Sequence, residues 1–92
     1  MGIRNIRHKG LLELFDQGRT AKINPRMHEA CLLILDRLAA IAKPDDCQGV
    51  RGFHALSGNW RGYYAMTVTK NWRIVFRWEN DGVCDVDLVD YH

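Results

Sequence analysis

No run of apolar residues in this sequence approaches the roughly 20 that a membrane-spanning helix needs. The opening residues, Met1-Gly2-Ile3-Arg4-Asn5-Ile6-Arg7-His8, lack the apolar centre of a signal peptide. Position 6 is neither Ser nor Thr, which argues against myristoylation at Gly2. These absences predict a cytoplasmic protein without a membrane partner. Cysteine is scarce. Cys31, Cys47 and Cys84 make an odd number with no C-x-x-C, which excludes a disulfide framework and predicts reduced thiols. His28 and Cys31 lie three apart and share a helix face, but no second pair matches them in spacing. No metal site and no cofactor are therefore expected. A strong basic field is also missing, since the net charge is only +2. The chain has no global charge with which to grip any nucleic acid indiscriminately.

The charge that is present is unevenly placed. Residues 47–78 hold Arg51, Arg61, Lys70, Arg73 and Arg77 and no Asp or Glu; residues 79–92 hold Glu79, Asp81, Asp85, Asp87 and Asp90 and no Lys or Arg. Local basic stripes are one reading of this pattern. An acidic last strand paired with the basic one beside it is the other. A hydrophobic fraction of 47% and a length of 92 residues fit one small folded domain spanning 1–92.

Two helices are predicted. From His8 to Gln17, Leu11, Leu12, Leu14 and Phe15 form an apolar stripe, and Gly18 is a stop signal. In the second helix Asn24 is the cap, Pro25 takes the first position, and Lys43-Pro44 is the end. Met27, Cys31, Ile34, Leu38 and Ile41 line one face, widened by Ala30, Leu35 and Ala42. Ile3 and Ile6 do not alternate, so a strand there is only weakly indicated.

From Gly62 the apolar period changes to two. Tyr64, Met66 and Val68 share a face; so do Trp72, Ile74, Phe76 and Trp78; so do Cys84, Val86 and Leu88. Short polar turns between them predict an antiparallel three-strand meander. Matching the apolar faces fixes the register, because a slip of one residue turns every side chain over. Val68 then opposes Trp72, and Glu79 opposes Val83, leaving Asn80-Asp81-Gly82 as a three-residue loop with Gly82 left-handed. The opposite, helix-free face carries Arg73 between Thr67 and Val89, and Arg77 between Tyr63 and Asp85. Tyr91 has the parity of Arg73. Trp72, Phe76 and Trp78 are core by parity. The fold class is thus α+β, with two N-terminal helices packed on a small antiparallel sheet.

The sequence closes on a carboxylate, a phenol and an imidazole, Asp90-Tyr91-His92. Two accounts fit these residues: a polar strand end, or a chemical site that the rest of the chain aims.

Several segments together resemble the HigB branch of the RelE/ParE superfamily of bacterial toxins. They are Arg7-His8-Lys9-Gly10-Leu11 with Leu14-Phe15, His54-x-Leu56-x-Gly58, Asn71-Trp72-Arg73-Ile74-x-Phe76, and the closing Asp90-Tyr91-His92. The resemblance implies a RelE-like fold and an endoribonuclease that enters the ribosomal A site and cleaves mRNA. It implies as partners the ribosome with its 16S RNA and a HigA-type helix-turn-helix antitoxin, with operator DNA bound through the antitoxin. It matches the active-site set to His54, Asp90, Tyr91 and His92, with Arg73 as a basic contributor. One departure stands out: relatives often carry Lys and Asp beside the glycine where this chain has Ser57 and Asn59. A cation that would touch phosphate is missing there, and Arg61 or Arg51 is the candidate substitute.

Metal-free RNA cleavage uses the substrate's own 2′-hydroxyl as nucleophile, so it needs a base, an acid and a cation. Histidine suits both proton-transfer roles because its ordinary pKa of about 6.5 lies near working pH. His92 is the first candidate for base or proton shuttle with His54 as its partner, and the two assignments can be exchanged. Asp90 is suited to orient an imidazole. Tyr91 is suited to stacking on a base, and Arg73 to phosphate. Each has a plainer account as a strand-end acid, a surface aromatic or half of an ion pair. Lys9, Arg4, Arg7, Lys22 and Arg26 are candidate contacts to ribosomal RNA, or ordinary solvated surface. Two other functions fit the same scaffold: a ParE-type toxin that inhibits gyrase by binding alone, and a small RNA-binding regulator. The paired histidines favour the nuclease.

Overall fold

A computed structural model describes residues 2–90. The first helix, α1 (Lys9–Gln17), begins at His8, whose Nδ1 accepts the amide hydrogens of Gly10 and Leu11 at 3.0 and 3.2 Å. That side chain satisfies two of the N–H groups a helix leaves unpaired at its start. Gly18 ends α1 in the left-handed conformation, its N–H donating to the Leu14 carbonyl. Leu11 and Leu14 are fully buried, whereas Leu12 and Phe15, expected on the same stripe, are exposed.

Asn24 caps a single 3₁₀ turn, Pro25–Met27, by accepting from the Arg26 amide at 2.9 Å. The chain then enters α2 (His28–Ala40). Cys31, Ile34, Leu35 and Leu38 face the core, and Ile41 follows them in extended backbone. The helix therefore stops before Lys43-Pro44, and Ala42 lies exposed rather than on the apolar face.

The sheet runs in the order β1-β2-β3-β4, all antiparallel: β1 (His54–Ala55), β2 (Tyr63–Thr67), β3 (Trp72–Glu79) and β4 (Gly82–Asp90). The α+β architecture is the expected one, with a fourth, very short strand added to the predicted meander. Met66, Ile74, Phe76, Val83, Val86 and Leu88 meet both helices in one core. Trp72 and Trp78 are partly buried against it. Ala65 and Val75 are also fully buried, although they point to the helix-free face. Burial raises all three thiols above their ordinary range, Cys31 to about 11, which keeps them protonated.

The register departs from expectation in one half of the last hairpin. Glu79 pairs with Gly82, not Val83, so the turn has two residues. Asn80 and Asp81 supply its positive φ angles of 52° and 62°, as a type I′ turn requires. Gly82 is not left-handed; a side chain there would collide with the Arg4 stem, whose Nε lies 2.8 Å from an added Cβ. The early pairing is kept as far as Arg77↔Cys84, so Cys84 lies on the helix-free face and Val83 takes the core place. A bulge at Asp85, φ 53°, then adds one residue. Beyond it the expected pairs Ile74↔Leu88 and Arg73↔Val89 hold. Without that extra residue, parity would turn Asp87 toward the helices and Val86 and Leu88 away from them.

The N-terminal segment holds the bulge. Ile3 and Ile6 bridge in parallel to Val83 and Val86, and the Arg4 and Arg7 amides donate to the carbonyls of the same two residues at 2.7 Å. Between them the Asn5 side chain accepts from the Asp85 amide at 3.0 Å and donates to its carboxylate at 3.1 Å. The spacing of three between Ile3 and Ile6 hid this segment from a search for alternation. It mirrors the bulge on β4.

Candidate active site

Phe53 decides where His54 points. Its ring packs on Tyr64 at 5.4 Å and on Phe76 at 6.4 Å, on the helix side. The next side chain in an extended backbone must leave on the other face. His54 pairs with Ala65, which pairs with Val75, so its position is now fixed on the helix-free face. The imidazole is exposed, and its Nδ1 lies 2.8 Å from the Gly52 carbonyl. A carbonyl oxygen can only accept, so Nδ1 carries the proton and Nε2 of the neutral ring holds the basic lone pair.

Arg73 lies on the same face, paired with Thr67 and Val89. Its Nη1 donates to the carbonyls of Thr69, Lys70 and Trp72 at 2.8, 3.1 and 3.2 Å, which binds the β2–β3 turn. Thr67 is the diagonal neighbour of His54 across β1 and β2, and Arg73 is one strand further on. Asp90 is placed differently. It pairs with Trp72 at the far side of the sheet and has helix-side parity. Three interstrand steps of about 4.8 Å put its strand roughly 14 Å from β1. Within the described residues, His54 and Arg73 share a face and Asp90 does not. Tyr91 and His92, the other two predicted members, lie outside the described residues.

The predicted RNA-contacting cations come from several elements. Arg4 and Arg7 lie along β4, Lys9 opens α1, and Lys22 and Arg26 flank the entry to α2. Some are already engaged. Arg4 donates to the Asn80 carbonyl at 3.0 Å, and Lys22 pairs with Glu13 at 2.6 Å. Arg51, in a left-handed conformation, donates through Nε and Nη2 to the carbonyls of Thr67 and Val68 at 2.8 and 3.0 Å. It fastens the end of β2. Arg61 is exposed just after the 3₁₀ turn Gly58–Trp60, and among the described residues no hydrogen bond or ion pair engages its side chain. Of the two substitutes considered for the missing loop cation, Arg61 is the one not spent on backbone carbonyls.

Arg77 is paired twice, with Asp85 at 3.2 Å and Glu79 at 2.9 Å. The hydrogen bond to Asp85, then the Glu79 charge, holds its guanidinium further above its ordinary range. The Asp85 carboxyl is held below the ordinary carboxylate range, first by Asn5 and then by Arg77. Among the described residues no cluster of metal-ligating groups is present. A surface depression of about 390 Å³, lined by Glu13, Gln17, Arg19, Thr20 and Ala21, contains none of the predicted site residues.

Residues 4–92 match the family described as the RelE-like toxin of the type II toxin–antitoxin system HigB. The chain belongs to the HigB-like toxin family. A curated relative, Endoribonuclease HigB of Proteus vulgaris, is 33% identical over 98% of this chain and 99% of its own length. The fold is shared with a YoeB/ParE toxin from Agrobacterium tumefaciens, with a TM-score of 0.64 at 22% identity, covering 100% of this chain and 99% of that one. It is shared also with a chain of the YoeB-YefM complex from Staphylococcus aureus, TM-score 0.61 at 19% identity, over 96% and 95% of the two chains. Within this HigB-like chain, sequence reasoning passed over Tyr63, the diagonal neighbour of His54, and Trp60, whose ring meets Tyr63 at 5.1 Å. Trp60 sits outside every strand, and Tyr63 opposes Arg77. The signal for Tyr63 was its parity; for Trp60 it was an aromatic between Asn59 and Arg61, with no apolar pattern to bury it.

Proposed function

We propose that this chain is the toxin of a type II toxin–antitoxin pair and an endoribonuclease that cleaves mRNA in the ribosomal A site. The observation that carries this reading is His54: an exposed imidazole whose Nδ1–H is held by the Gly52 carbonyl, so that Nε2 is presented as a base. The family membership supplies the chemistry to which that base is matched.

In the proposed reaction His54 Nε2 takes the proton of the substrate's 2′-hydroxyl. The oxygen attacks the adjacent phosphorus, and the P–O5′ bond breaks. His92 donates a proton to the leaving 5′-oxygen, giving a 2′,3′-cyclic phosphate and a 5′-hydroxyl. Asp90, two residues before His92, orients that imidazole, and Tyr91 stacks on a base. Arg73 and Arg61 supply positive charge for the phosphoryl oxygens, which gain negative charge in the transition state. Lys9, Arg4, Arg7 and Arg26 contribute to docking on ribosomal RNA, with Arg51 a structural residue. The partner that restrains the enzyme is a HigA-type helix-turn-helix antitoxin, and the pair acts in the cytoplasm.

Induced expression of the chain alone should stop incorporation of labelled amino acids within minutes, and co-expression of the antitoxin should restore it. Continued protein synthesis at high expression of soluble protein contradicts the reading. An arrest of DNA replication that precedes any fall in translation would point instead to a gyrase-directed toxin.

A further inference from the structure

We propose that Trp60 and Tyr63 form a stacking subsite for one unpaired nucleobase of the RNA, beside His54. This deepens the nuclease reading and rests on it.

Position is the first argument. Tyr63 lies on the helix-free face, two residues along β2 from Ala65, the partner of His54. Tyr63 and His54 are thus diagonal neighbours, with Cβ atoms roughly 7–8 Å apart, within reach of long and aromatic side chains. A nucleotide whose 2′-hydroxyl lies at His54 can place a neighbouring base over this corner of the sheet.

Geometry is the second. The Trp60 and Tyr63 rings meet at 5.1 Å between centroids and 89° between planes. Whichever ring supplies the edge, the indole keeps at least one face that Tyr63 does not cover. No other ring pairs with Trp60 among the described residues. Trp72 and Trp78 pack against the core, whereas Trp60 does not. A half-buried indole left out of the core of so small a domain has given up its largest folding contribution. Stacking on a base would recover it on binding.

Preparation is the third. Arg77 sits over the Tyr63 ring with Cζ 6.0 Å from the centroid, and its own guanidinium is pinned by Asp85 and Glu79. The bracing tyrosine is therefore held in place before any ligand arrives, which lowers the ordering cost of binding. Arg61 stands next to Trp60 with an unengaged side chain among the described residues, as a phosphate contact between two stacked positions would.

The test uses a short single-stranded oligoribonucleotide with 2′-O-methyl groups, which cannot be cleaved by 2′-hydroxyl attack. Trp60→Ala should weaken its binding roughly 5- to 150-fold, the range expected for losing one base stack. Trp60→Phe should restore most of it, and the melting temperature of both variants should match the parent. Making one nucleotide of the oligomer abasic should cost the parent protein the same factor and cost Trp60→Ala almost nothing more. Equal binding by parent and Trp60→Ala, or no measurable binding by the parent, overturns the subsite. Cleavage of ribosome-bound mRNA, read separately, should show a raised KM with kcat nearly kept in Trp60→Ala. Absence of all cleavage by the parent protein would instead sink the nuclease reading itself.

Discussion

Replacing His92 with alanine, or deleting it, is expected to lower RNA cleavage by about 100- to 10,000-fold, the usual contribution of a positioned general acid or base. Growth arrest on induction should vanish with it. Binding to the antitoxin and the melting temperature should scarcely change. His54→Ala should lose a similar factor if its Nε2, left available by the Gly52 contact, is the proposed base. The two losses should separate by pH. The parent enzyme should show a bell-shaped rate profile, and each single variant should lose one limb of it: the acid-side limb with His54→Ala and the alkaline limb with His92→Ala. Retained toxicity in a soluble, folded His92→Ala protein would end that residue's assignment. Losing the opposite limbs would exchange the two roles.

Asp85→Val is expected to destabilise the fold by about 2–3 kcal/mol, because a β-branched side chain is forced into a left-handed backbone while the bonds to Asn5 and Arg77 are lost. Asp85→Gly should cost less, since glycine accepts that backbone freely. The carboxylate also makes stability depend on pH. Its folded pKa is depressed, so its contribution is fully present above the ordinary value of about 3.9 and is lost as pH falls through the lower folded value. Chemical denaturation between about pH 5 and pH 2 should therefore show a smaller acid loss in Asp85→Asn than in the parent. An identical acid slope would count against the Asn5–Asp85–Arg77 arrangement. Activity should fall in Asp85→Val by more than its unfolded fraction explains. The bulge decides which faces Val86 to Asp90 occupy, and a loosened bulge lets that ladder slip.

The parts of the molecule legible in the sequence were those written in short-range patterns. The periodicity of α2, the Asn24 cap of the 3₁₀ turn that precedes it and Gly18 after α1 act within a turn or two. So does the alternation through β2 and β3, which fixed Arg73 against Thr67 and Val89 correctly. The hidden parts depend on partners far away in the chain. The segment from Ile3 to Arg7 shows no alternation because it bridges, at Ile3 and Ile6, to a bulged neighbour. The bulge itself rests on Asn5, eighty residues from Asp85. The tight turn differs from expectation because Asn80 and Asp81, not Gly82, take the left-handed backbone. His54 lies in a strand of two residues, too short for alternation to show, and its pairing with Ala65 together with the packing of Phe53 places it. The family pattern named His54 and Asp90 as one set. Their strands, β1 and β4, stand at opposite edges of the sheet, and within the described residues His54, Arg73 and Tyr63 share the helix-free face.

The most direct test is to add the purified protein to ribosomes translating a defined mRNA, in excess chelator, and to map the new RNA ends chemically. The account predicts breaks within the codon occupying the A site, with 5′-hydroxyl ends and 2′,3′-cyclic phosphates or their hydrolysis products, and none on the same mRNA without ribosomes. Ends carrying 5′-phosphate, or an mRNA left intact while translation proceeds, would contradict it.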